Sequence, residues 1–295
     1  MTDFLTSESR DADVGTSIQG DVTLQKRQSL WIERGLIEDL VLAVRQRRVA
    51  RMLYMAEIAE SRRSTGLGLF GPFLSTALHM AVLGTVMSMV FAQPMREFIP
   101  YFGLSFAIWQ TLSAAIGRMA NASERAVRFL AFPRLSSLII YMVDAYDYVL
   151  GLSARLLSAL VVIAIVNHEI LMSANFPAFA VGMLLASVVV IIWSPIATVV
   201  FNNFRILRGF LPQILLLVFL ITPVFYSADR FSEHRWVADF NPVYHLIEVV
   251  RAPVIDGNWP AVSLAVCIGL VLGGLVLLRI VHRRQRLAMV YGWIA

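Results

Sequence analysis

What most constrains this chain is a set of long apolar runs separated by short polar segments. Six can be read at the ~20-residue length that a helix needs to cross a bilayer. They fall at about 71–92, 99–119, within 135–166, 176–200, 210–226 and 260–281. The chain is 58% hydrophobic, beyond the roughly 45–50% of soluble domains. The expected fold is therefore all-α and polytopic, with six transmembrane helices. Pro195, Pro212 and Pro223 are expected to kink spans four and five. No short apolar region follows a charged start, so no cleavable signal peptide is expected. The single Cys267 lies in an apolar run and reads as a small apolar residue.

Basic residues set the orientation. Of the 25 Lys and Arg residues, twenty fall in residues 1–70, loops 118–134 and 201–209, and the tail from Arg279. Only Arg96, Arg230, Arg235 and Arg251 fall on the alternate side, and Arg155 lies within span three. That asymmetry predicts both termini in the cytoplasm and supports an even number of spans.

The chain divides into a polar stretch 1–30, an amphipathic segment 31–65 and a transmembrane domain 66–295. Residues 1–30 are rich in Ser, Thr and Asp and are expected to be disordered. In the next segment Ile32, Leu36, Ile37, Leu40, Val41 and Val44 follow helical spacing, with Arg34, Arg45, Arg48 and Arg51 largely off the stripe. This predicts a basic helix on the cytoplasmic membrane surface, either lying on lipid or docking protein. No internal repeat or low-complexity tract is present.

Several chemistries have no sequence support. The only lysine is Lys26, and no G-x-x-x-x-G-K-[ST] occurs, so this polypeptide has no P-loop for ATP. G-x-S-x-G and H-E-x-x-H are absent, and the five histidines lack metal-ligand spacing. A hydrolase or metalloenzyme is not expected. The isoelectric point of about 9.7 fits cytoplasmic arginines beside anionic lipid; no soluble basic domain exists for nucleic acid.

Four features could carry function. Span three holds Asp144, Asp147 and Arg155. The aspartates stand three apart on one helix face. They form either a proton relay or, because a 135–166 helix of roughly 48 Å exceeds the bilayer, an interfacial pair held by Arg or Tyr. Aromatic residues Tyr101, Phe102, Phe106, Trp109, Trp193, Phe225 and Tyr226 read either as an interfacial belt or as the lining of a pore whose rings stack on sugars. Loop 118–134 reads as a short charged helix ended before Pro133: an ordinary surface helix, or one coupling to a cytoplasmic partner through Glu124, Arg125 and Arg128.

The fourth feature is FNPVYHLIEVVRAPVIDG, residues 240–257. Asn241 can cap a helix and Pro242 fits its first position, while Pro253 and Asp256-Gly257 are expected to end it. At roughly 16 Å it is too short to span. Val243, Leu246, Ile247 and Val250 share one face; Tyr244, Glu248 and Arg251 share another.

These features together resemble the ABC-2 family of transporter permeases, closest to the subgroup exporting O-antigen and related polysaccharides. The resemblance covers roughly 31–295. It is carried by AEIAESRRSTGLGLFGPFLSTAL (56–78), NASERAVRFLAFPRLSSL (121–138) and, most specifically, FLITPVFYSADRF followed by NPVYHLIEVVRAPVIDG (219–257). Two departures stand out. Phe70-Gly71-Pro72 replaces the family's usual Trp and Gln-Pro before span one, and the 1–30 extension has no counterpart. The resemblance implies a homodimer with two separate cytoplasmic ABC ATPase subunits, which would hold ATP and Mg; this chain would hold no cofactor. It implies a lipid-linked glycan as substrate, meeting the basic segment at Arg45, Arg48, Arg51, Arg62 and Arg63. The glycan would thread a pore lined by Phe102, Phe106, Trp109, Trp193, Phe225 and Tyr226. The 241–252 helix would close the outer mouth through Tyr244, Leu246, Ile247, Glu248 and Arg251, its apolar face in lipid or protein and its Tyr244, Glu248 and Arg251 face meeting water or sugar, or it would be a plain interfacial connector. The alternatives are an ABC-2 exporter of a drug or lipid, a membrane-embedded glycosyltransferase, for which no carboxylate pair stands out, and a proton-coupled carrier resting on Asp144 and Asp147.

Overall fold

A computed structural model describes residues 35–68, 70–126, 135–228 and 233–291. Arg128 and the polar stretch 1–30 lie outside the described residues. Among the described residues the chain is helical and carries no strand.

The amphipathic segment forms two helices, α1 (Leu36–Arg45) and α2 (Arg47–Thr65), which bend at Gln46. Gly66, at φ 75°, ends α2 in the left-handed conformation that glycine adopts without steric cost. The first span is α3 (Phe70–Val90), with one π turn at Met80–Gly84. It is followed by α4 (Met95–Ala120) and the short α5 (Ala122–Ala126). Then come α6 (Ile139–Val166), α7 (Phe176–Asn203), α8 (Leu211–Ile221), α9 (Pro242–Ile255) and α10 (Ala261–Tyr291). Five of these, α3, α4, α6, α7 and α10, are long and apolar enough to cross a membrane.

The fifth expected span is different. Residues 210–226 do not form one crossing helix: α8 has only 11 residues, roughly 16 Å. Pro212 starts it, and Thr222, which precedes Pro223, leaves the helical region at ψ 129°, as steric contact with a following proline dictates. Residues 222–228 continue without regular helix.

α4 is central. It packs on α6, α7 and α9, and Phe98, Phe102, Leu104 and Ile108 meet Leu152, Leu156, Ile163, Val189 and Ile247 in one core. Cys267 is buried in the same core.

The start of α9 matches its sequence signals: the Asn241 side chain accepts from the Val243 N–H at 3.0 Å, and Pro242 follows it. Its end does not. α9 continues through Pro253 to Ile255, and Gly257 at φ 67° makes the turn. Pro253 has no N–H for the Val249 carbonyl. That carbonyl instead abuts Gly182 of α7, where a Cβ would lie 2.0 Å from it. Glycine is what allows the two helices this close.

Candidate functional site

At one end of the bundle, α2, α4, α5 and α6 meet in a charge cluster. Asp144 accepts from Arg118 Nε at 2.7 Å and from Arg125 Nη2 at 2.6 Å. Arg118 Nη2 also donates to Glu57 of α2 at 2.8 Å, and Asp147 lies 3.6 Å from Arg118 Nε. Both Asp144 oxygens are thus held by arginines, the arrangement of the interfacial reading. Arg155 points elsewhere, toward Thr111 Oγ1 at 3.5 Å. Of the coupling candidates, Arg125 turns inward into this cluster, while the more exposed Glu124 pairs with Arg208 at 3.0 Å. Beside the cluster, Tyr54 of α2 stacks on Tyr146 with ring centroids 6.0 Å apart. Burial, then the Asp147 carboxylate, push its phenol up to about 12.

The basic residues of α1 and α2 are presented as expected: Arg45, Arg48, Arg51, Arg62 and Arg63 are all exposed. The apolar stripe is less packed than a protein-docked helix requires. Ile37, Leu40, Val41 and Val44 remain 46–73% exposed. A buried carboxylate holds α1 down instead. Asp39 is 1% exposed; its Oδ1 accepts from Ser136 Oγ at 3.1 Å, its Oδ2 accepts from Ser137 Oγ, and His282 Nε2 approaches Oδ2 to 3.8 Å. Sequence reading missed this latch. A lone aspartate on an apolar stripe is its only signal.

Toward the other end of the bundle, a ladder of rings runs along α4. Phe98, Phe102 and Phe106 stack at 5.8 and 5.1 Å. Phe225 stacks on Phe102 at 5.0 Å, and Phe219 meets Phe225 at 5.1 Å and Trp109 at 5.2 Å. Four of the six lining candidates are brought together here, joined by Phe98 and Phe219. Phe102 is fully buried, Phe106 and Trp109 are nearly so, and Phe219 and Phe225 are half-buried. Trp193 is elsewhere: its indole N–H donates to the Leu270 carbonyl at 3.0 Å, joining α7 to α10. The Tyr226 hydroxyl donates to the Leu220 carbonyl at 2.7 Å.

The helix α9 lies against this ladder, and here the expectation of a wet polar face is corrected. Arg251 is 3% exposed and Tyr244 8%. Arg251 Nη1 donates to Ser105 Oγ at 2.8 Å and to the Pro223 carbonyl at 3.2 Å, and Nη2 donates to Glu248. Its guanidinium lies 3.9 Å over the Tyr101 ring, and the Tyr101 hydroxyl donates to the Tyr226 carbonyl at 2.9 Å. One cation thus ties α9, α4 and the break after α8 together. Leu246 and Ile247 are buried as well, Ile247 completely. α9 is therefore enclosed on both faces, with Glu248 alone among the gate candidates half-exposed. Ser105 and Tyr101, the partners of Arg251, carry no sequence signal for that role. His245, also buried, bridges Ser263 Oγ and the Asp239 carbonyl at 2.9 and 2.8 Å.

The helix α4 thus joins the charge cluster, at Arg118, to the polar anchor of α9, at Tyr101 and Ser105. A family model described as ABC-2 type transporter matches residues 48–255. No curated protein matches the chain.

Proposed function

The chain belongs to the ABC-2 type transporter family as a membrane permease subunit, and on that premise we propose that it forms the channel of an ATP-driven exporter of lipid-linked polysaccharide. It works as a homodimer with two copies of a cytoplasmic ABC ATPase, in a bacterial inner membrane with both termini cytoplasmic. The observation that carries the glycan reading is the ring ladder from Phe98 to Trp109, extended by Phe219 and Phe225. The rings within the ladder cover one another, and its half-buried edge, Phe219, Phe225 and Tyr226, is where a ring face meets a sugar.

In this reading the partner ATPase moves α5. Arg125 passes that movement to Asp144 on α6, and Arg118, shared between Asp144 and Glu57, passes it to α2. At the other end, separating α9 from α4 requires the Arg251 contacts to open. The exposed Arg51, Arg62 and Arg63 of α2 meet the phosphate of the incoming lipid carrier. An exporter of drugs or lipids is the second reading, favoured by the wholly apolar character of the ladder.

The experiment is reconstitution of the permease–ATPase complex in vesicles, with ATP hydrolysis followed while lipid-linked glycan, free lipid or an aromatic drug is supplied. Stimulation by the glycan lipid, lost in Phe225→Ala, supports the first reading. Stimulation only by the drug or the free lipid rejects it.

A further inference from the structure

Beneath α1 the bundle leaves a groove of about 580 Å³, within the ~300–1,000 Å³ usual for ligand sites. Its walls include Leu40 and Val44 of α1, Ala145 and Val149 of α6, Ile192 of α7 and Leu275 of α10. Three of these four helices are long and apolar enough to cross a membrane, and the groove's apolar walls suit hydrocarbon rather than water. The helix that roofs it is held by the polar Asp39–Ser136–Ser137 contacts. Leu40 and Val44 consequently remain about half exposed, and no described residue fills the space below them. An acyl chain matches that chemistry.

The rim is charged. Arg45, Arg47, Arg48 and Arg51 follow Val44 within two turns and are exposed, and no acidic residue stands between Asp39 and Glu57. Four clustered guanidinium groups beside an apolar groove complement a phosphate headgroup with an attached chain. The groove shares no lining residue with the ring ladder, so its occupant is not in the path of an exported molecule.

We propose that this groove binds an anionic phospholipid of the cytoplasmic leaflet as a resident ligand. One acyl chain lies between α1 and the α6–α7–α10 wall, and the phosphate lies among Arg45, Arg47 and Arg48. The proposal holds whatever the exporter carries. It makes the position of α1, and through α2 that of the charge cluster, dependent on membrane charge.

The test uses the full chain in phosphatidylcholine vesicles doped with phosphatidylglycerol that carries a photoreactive diazirine on its acyl chain. Crosslinked peptides are mapped by mass spectrometry. Labelling is expected within residues 138–149 and 275–278, and unlabelled phosphatidylglycerol should compete about tenfold or more better than phosphatidylcholine. Ala145→Trp fills the groove and should abolish the labelling. The triple variant R45Q/R47Q/R48Q changes only exposed side chains; it should keep labelling and lose the headgroup preference. If Ala145→Trp is not recovered folded, the triple variant and the competition still decide. Labelling spread evenly around all lipid-facing helices, labelling indifferent to Ala145→Trp, or equal competition by the two lipids each overturns the proposal. So does absence of labelling in the groove, which would mean that a protein segment or a second copy fills it.

Discussion

Arg251→Met is the substitution that decides between an enclosed α9 and a helix with one wet face. The side chain is 3% exposed and makes hydrogen bonds to Ser105, Pro223 and Glu248 while lying over Tyr101. Methionine fills most of the stem volume but supplies no donor. Glu248 then keeps a charge in a partly buried place without its partner, the situation that costs about 3–5 kcal/mol when a buried pair is broken. Arg251→Lys retains the charge but not the planar fork, so it cannot reach Ser105 and Glu248 together; about 1–3 kcal/mol is expected, the cost of leaving a buried hydrogen-bonding group unmade. The double variant R251M/E248Q removes both charges and should recover part of the loss, because the unpaired carboxylate is gone. The assay is unfolding of the purified protein in mixed micelles, with the transition followed by far-UV circular dichroism. If Arg251→Met lies within about 0.5 kcal/mol of the parent, the range of ordinary surface substitutions, the guanidinium faces water and the enclosed arrangement of α9 is refuted.

Three further outcomes are expected. Asp144→Asn weakens two charge-assisted hydrogen bonds, for a loss of about 1.5–3 kcal/mol, and should reduce recovery of the ATPase on affinity-purified permease; full recovery with unchanged stability would remove Asp144 from the transmission path. Gly182→Ala places a Cβ 2.0 Å from the Val249 carbonyl, so α7 and α9 must separate at a cost of about 1–3 kcal/mol; an unchanged thermal midpoint would show that the two helices are not in close contact. Phe102→Ala should lower stability by about 3–5 kcal/mol because the ring is fully buried, whereas half-buried Phe225→Ala should cost less stability and reduce export more, read as surface polymer against membrane protein level; the reverse order would dissociate the ladder from transport.

Apolar runs longer than 20 residues can satisfy their backbone only as helices in hydrocarbon, so the four spans α3, α4, α6 and α7, and the long α10, were legible from hydropathy alone. Local rules also sufficed at the start of α9, where Asn241 and Pro242 act on N–H groups within one turn. The wet face of α9 and its stop at Pro253 were not decidable locally, whereas the break of the fifth span at Thr222 follows a local rule of the residue before proline that hydropathy does not weigh. Amphipathic spacing separates two faces of a helix but does not say what covers the polar one. In a membrane protein a polar face is as well served by Ser105, Tyr101 and a carbonyl freed at Pro223 as by water. The effect of Pro253 depended on Gly182, seventy-one positions away in the chain, and the latch at Asp39 depended on two serines and a histidine from other elements. Partition between oil and water is a property of each segment and can be read along the chain; pairing of buried polar groups is a property of two segments, and only the tertiary structure brings them together.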